Sequence, residues 1–140
     1  MVKKILDAFG SAKLVEISCT KQGFNYTRLG YFLASKFKHE KTVYIASHPK
    51  IDDEITKVKL IMKSANVKVL TGQDVRDFLA TRYSHCDQIK RFQGDILSVI
   101  EKFILVSCER FFGTAGSTWS MSVIEERQFY HRKVDWQISQ

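Results

Sequence analysis

Four short apolar runs punctuate this chain, and each is followed by a segment whose apolar residues recur at helical spacing. The runs are KLVEISC from Lys13, TVYIAS from Thr42, VKVL from Val67 and RFFG from Arg110. Short stretches rich in β-branched and aromatic side chains, closed by Gly, Pro or polar residues, suit strands. Between them Leu29, Phe32, Leu33 and Phe37 form one stripe, Ile55, Val58, Ile61 and Met62 a second, and Val75, Phe78 and Leu79 a third. Strand and helix in alternation specify the α/β class, a parallel sheet covered on both faces through right-handed crossovers. The expectation is a Rossmann-like, doubly wound sheet of about four strands, near residues 14–18, 42–47, 67–70 and 110–113, in the order 3-2-1-4. In such a sheet the ligand belongs outside the carboxyl ends of the first and fourth strands, where the order reverses.

Local signals set the other boundaries. Val2, Ile5, Leu6 and Phe9 describe a first short helix stopped by Gly10. Gly30 weakens the helix that starts near Tyr26 by about 1 kcal/mol relative to Ala. Pro49 ends the second strand, and Asp52, Asp53 and Glu54 place negative charge in the first turn of the next helix, which Asn66 closes. Thr71 and Gly72 turn the chain into another. Thr81 to Gly94 is polar and unpatterned, which marks it as a mobile loop. Asp95 then caps a helix carrying Ile96, Val99, Ile100, Phe103, Ile104 and Val106, apolar nearly all round and so packed on more than one side. In the tail, Val134, Trp136 and Ile138 suit a final extended piece.

A chain of 140 residues holds one domain, 1–140, with a core of ordinary size. No apolar run approaches the roughly 18 residues of a membrane-spanning helix. The opening MVKKILDAFG lacks the apolar stretch and cleavage site of a secretory signal. A net charge of +7 favours polyanionic partners. The basic residues are spread along the chain without a dense cluster or an aromatic RNA-binding motif, which argues for a solvated surface and against a nucleic-acid-binding domain. Cys19, Cys86 and Cys108 have no CxxC spacing and no accompanying histidine pattern, which argues against a metal site. A Cys19–Cys86 disulfide would need an oxidising compartment.

The most informative stretch is FFGTAGSTWSMSVIEER, Phe111 to Arg127. It reads as a strand, a turn of small residues and a helix start. The first amides of a helix are unpaired and its dipole adds positive charge, so such a start accepts anions. Small residues at Gly113, Ala115, Gly116 and Ser117 let a phosphate approach, and Ser117, Thr118 and Ser120 add hydroxyl donors. On the residues alone, nucleotide-phosphate binding and a plain loop with a Ser/Thr N-cap have equal standing.

The run from Ser98 to Gln128 resembles the C-terminal signature of the protein O-fucosyltransferases, and is most similar to the type that modifies thrombospondin repeats. That signature has an acidic residue in an apolar helix, a Phe-x-Gly-Thr strand, Ser-Thr-Phe-Ser, and a helix ending Glu-Glu-Arg. The corresponding features here are Glu101, Phe111 to Thr114, Ser117 to Ser120 with Trp119 in the aromatic place, and Glu125 to Arg127. A weaker resemblance reaches back to Thr42–Ser47.

The resemblance implies a GDP-fucose site in the C-terminal half of a metal-independent, inverting GT-B glycosyltransferase of the endoplasmic reticulum, with no cofactor. GDP or GDP-fucose is the implied ligand, and a folded protein such as a thrombospondin-type repeat the implied acceptor. Ser117, Thr118 and Trp119 would hold the diphosphate and Ser120 would support their turn. Glu101 would accept from the N1–H and 2-amino groups of guanine; otherwise it belongs to an exposed helix stripe. Arg127 would meet phosphate or a buried carboxylate, or else tie its helix to the sheet. Trp119 suits a packing anchor better than a stacking platform.

The chain also departs from the family. Its His-x-Arg motif at the end of the first strand is replaced by Glu16, Ile17 and Ser18, with Arg28 or Lys21 the nearest basic substitutes. Its Thr-Asp appears as Ser47-His48, with Asp52 and Asp53 a few residues on. An acceptor-binding half is absent. The expectations are therefore a fragment or shortened relative that binds GDP-fucose, or a non-catalytic nucleotide-binding or scaffold relative.

Overall fold

The strands form where β-branched and aromatic residues concentrate. The computed structural model describes residues 13–17, 24–39, 42–108, 110–114, 116–130 and 136–138. Its strands are β1 (Lys13–Ile17), β2 (Thr42–Ser47), β3 (Lys68–Thr71), β4 (Phe111–Thr114) and β5 (Trp136–Ile138). Its helices are α1 (Tyr26–Lys36), α2 (Asp52–Ser64), α3 (Gly72–Arg82), α4 (Asp87–Arg91), α5 (Gln93–Ser107) and α6 (Thr118–Phe129), with a 3-10 turn at Pro49–Ile51. The fold is mixed α/β.

The strands pair in parallel in the order β3-β2-β1-β4-β5. β1 runs beside β2 from Lys13↔Val43 to Ile17↔Ser47, and beside β4 through Leu14↔Phe111 and Val15↔Phe112. The sheet has five strands where about four were expected, because the tail pairs with β4 from Phe112↔Trp136 to Thr114↔Ile138.

Side-chain alternation along β2 separates two cores. Val43 and Ile45, with Val69 and Phe112, face Leu29, Leu33 and Phe37 of α1 and Ile55, Val58 and Met62 of α2. Tyr44, Ala46 and Phe111 face α3, α5 and α6 through Val75, Leu79, Ile100, Ile104 and Val123. Gly30 is explained by the first of these layers: a Cβ there would lie 2.8 Å from Ile61 Cδ1, so the close approach of α1 to α2 outweighs the cost of glycine in a helix.

Capping accounts for the helix ends. Asn25 Oδ1 accepts from the Arg28 amide at 3.0 Å to start α1. Asp74 Oδ2 accepts from the Thr71 amide at 2.7 Å to start α3. Asn66, with a left-handed φ of 60°, closes α2 while the Val67 amide donates back to the Met62 carbonyl at 3.1 Å.

Two expectations are corrected. The segment expected to be a loop from Thr81 to Gly94 contains the end of α3 and all of α4, held by Tyr83 and Ile89 packing against the second core. Asp95 is not a cap: α5 starts at Gln93 after Phe92, which leaves Asp95 inside the first turn, where its charge complements the helix dipole. The short helix expected at residues 2–9 lies outside the described residues. Among the described residues, no helix is long and apolar enough to cross a membrane.

Candidate functional site

The turn after β4 is built by its own small residues. A Cβ at Gly113 would lie 3.0 Å from Ser120 Oγ and 3.1 Å from the Phe111 ring, so a larger residue would crowd the start of α6 against the strand. Gly116 supplies the left-handed step, at φ 79°. Ser117 then caps α6: its Oγ accepts from the Ser120 amide at 3.1 Å. In turn the Ser120 Oγ accepts from the Thr114 amide at 2.9 Å. Ser117 and Ser120 are buried. Their hydroxyls hold the turn, so the N-cap role is real whatever else the turn does. Thr118 is exposed at the first position of the helix, and Trp119 packs its ring against the second core, as an anchor does. What the turn offers a ligand is a capped helix start at the carboxyl edge of the sheet beside β1, and the first amides of a helix have no intrahelical partners.

Glu101 is only 8% exposed, so it does not belong to an exposed stripe. That stripe is carried by Val99 and Phe103. Glu101 Oε1 accepts from the Tyr44 hydroxyl at 2.6 Å. It also lies 3.0 Å from where a Cβ of Gly72 would stand. Gly72 is the first residue of α3, so the carboxylate sits near the positive end of that helix dipole. Tyr44 lies on β2, two strands from β4, and through Leu14 it is level with Phe111, the first residue of β4, so it stands about 10 Å across the sheet and about 10 Å back along the strands from the α6 turn.

Tyr44 was missed in the sequence, where it reads as one more apolar residue of TVYIAS. A phenol in a fully buried strand must find a hydrogen-bond partner, and that was the usable signal. Burial, with the Glu101 charge and hydrogen bond adding to it, raises the Tyr44 pKa well above 10.0. The unfolded phenol ionises near pH 10, before the folded one. The stability tied to this proton is therefore complete below about pH 10 and falls as pH rises through the folded value. Urea unfolding should show a steeper alkaline decline above about pH 10 in the unmodified chain than in Tyr44→Phe; parallel declines would refute the assignment.

Arg127 is fully buried, and its Nη1 donates to the carbonyls of Leu105, Val106 and Cys108 at 3.0, 3.1 and 2.9 Å. It lies 3.1 Å from Cys108 Sγ, and its guanidinium carbon stands 5.7 Å from the centre of the Phe111 ring. Through these carbonyls it ties α6 to the end of α5. Arg28 is exposed in the first turn of α1. Ser18, Cys19 and Lys21 lie outside the described residues. At the end of β2, His48 Nδ1 accepts from the Lys50 amide at 3.1 Å, and Asp52 pairs with Arg76 at 3.5 Å. Cys86 is a free thiol, and the Cys108 Sγ donates to the Leu105 carbonyl at 3.2 Å.

An open groove of about 410 Å³ runs along β3 and α3, lined by Lys68, Leu70, Asp77, Phe78 and Arg82 among others. It lies at the outer edge of the sheet, three strands from β4, and does not include Ser117–Ser120 or Glu101. Among the described residues, no group of His, Cys, Asp and Glu is arranged to hold a metal ion. No family model, curated protein or solved structure matches this chain.

Proposed function

We propose that this chain is the GDP-fucose-binding domain of a protein O-fucosyltransferase-like glycosyltransferase, its sheet a Rossmann-like, doubly wound unit forming the C-terminal half of a GT-B enzyme. The diphosphate lies at the start of α6, against the amides of Thr118 and Trp119 and the Thr118 hydroxyl. The guanine edge faces Glu101. The observation that carries the reading is the pair of hydrogen bonds by which the Ser120 Oγ accepts from the Thr114 amide and the Ser117 Oγ from the Ser120 amide, beside the point where strand order reverses. A preformed helix start needs no reorganisation to receive a phosphate. A non-catalytic relative would keep the same nucleotide site, so the reading is one of binding.

GDP should raise the melting temperature more than UDP or ADP at equal concentration, because a ligand of the native state stabilises it in proportion to its affinity. Ser117→Asp is the matching variant. Aspartate is as good an N-cap as serine, so the variant should fold, yet its charge opposes phosphate and should remove the nucleotide-dependent rise. Equal shifts from all three nucleotides, or a folded Ser117→Asp that still responds to GDP, would refute the reading.

A further inference from the structure

Resting on the guanine reading above, we propose that Tyr44 and Gly72 are positioning residues that set the Glu101 carboxylate to tell guanine from hypoxanthine. Guanine presents its N1–H and 2-amino donors side by side, whereas hypoxanthine lacks the 2-amino group. A carboxylate matches both donors only when its plane is aligned with the base edge. The last torsion of a glutamate is broad and poorly defined, so an unheld carboxylate accepts either base with little distinction.

Here the carboxylate is held by a strand residue and given room by a glycine. The Tyr44 hydroxyl donates to Oε1 at 2.6 Å, and Tyr44 cannot shift without its strand, which pairs at that residue with Leu14 on one side and Leu70 on the other. A carboxylate oxygen accepts more than one hydrogen bond, so the Tyr44 bond is compatible with a base donor on the same atom. Gly72 leaves the room: a Cβ there would meet Oε1 at 3.0 Å. Its φ is not left-handed, so the backbone accepts any residue, and what glycine provides is space for the carboxylate. A buried phenol–carboxylate pair contributes little net stability compared with apolar side chains of the same shape. Selectivity is the role that uses the alignment.

The test is titration of the unmodified chain, Tyr44→Phe and Gly72→Ala with GDP and with inosine diphosphate. The unmodified chain should prefer GDP roughly tenfold or more, the worth of one hydrogen bond to a charged group. Each variant should bring the two affinities within about threefold of each other while still binding GDP. A merely structural hydroxyl would weaken both nucleotides alike and leave their ratio unchanged. An unchanged ratio in the variants, or no preference in the unmodified chain, overturns the proposal. An ADP control separates the two failures: if GDP is still preferred to ADP, only the positioning role falls, and if it is not, the guanine reading falls with it. Should Tyr44→Phe fold poorly, Gly72→Ala carries the test, since alanine suits a first helical turn better than glycine.

Discussion

Arg127→Ala should destabilise the chain by about 4 kcal/mol or more, near the upper end for a single substitution. The side chain is fully buried, and three carbonyls and a thiol crowd around Nη1. A helix leaves its last carbonyls without intrahelical partners, and here Arg127 of α6 takes those of Leu105 and Val106 and the Cys108 carbonyl just beyond them. Its positive charge also faces the negative end of the α5 dipole. Truncation removes this donor from all three carbonyls, of which that of Leu105 keeps the Cys108 thiol at 3.2 Å, and costs about 1–3 kcal/mol for each one left wholly unpaired. It also opens a cavity beneath the Phe111 ring. Against a total stability of about 5–15 kcal/mol for such a domain, the loss should leave it marginal. Urea unfolding at pH 7 measures it. Arg127→Lys keeps the charge without the planar fork and should recover part of the loss. An alanine variant within about 1 kcal/mol of the unmodified chain would mean that neighbouring donors replace the guanidinium.

Glu101→Gln should weaken GDP by about 10- to 100-fold, the worth of hydrogen bonds to a charged acceptor, while improving binding of xanthosine diphosphate. A carboxylate accepts from both guanine donors. An amide accepts from one and presents its NH2 to the other, a clash that becomes a match when xanthine offers a carbonyl at the same place. Glutamine can still accept from Tyr44, so the buried phenol keeps its partner and the variant should fold. Alanine would leave that hydroxyl unpaired and confuse stability with recognition. Titration with both nucleotides gives the readout, and unchanged GDP affinity would remove Glu101 from the base site.

These predictions concern two buried polar residues, and both show where local pattern stops being informative. A guanidinium suits phosphate, carboxylate and carbonyl alike, so nothing near Arg127 in the chain says which it will meet. Helix α5 is apolar on almost every side, which deprives Glu101 of the periodicity that would say whether it faces water or the sheet. A short element escaped for a related reason. α4, at Asp87–Arg91, is too short for a period to register, whereas the extended piece expected in the tail is present as β5, at Trp136–Ile138, and only its pairing with β4 was not legible.

By itself the amino-acid sequence determined the α/β class, the places of β2 and β4 and a turn of small residues leading into the last helix. Each follows from features within a few neighbouring residues: β-branched runs, helical stripes, a glycine turn ahead of a serine. Tertiary structure alone decided that Arg127 would close the end of α5, that Gly30 would serve a helix contact, and that Glu101 would lie against Tyr44, 57 positions away. The physical reason is that a buried charge or hydroxyl must be satisfied by whatever the fold brings within hydrogen-bond reach, and that partner is set by how distant segments pack.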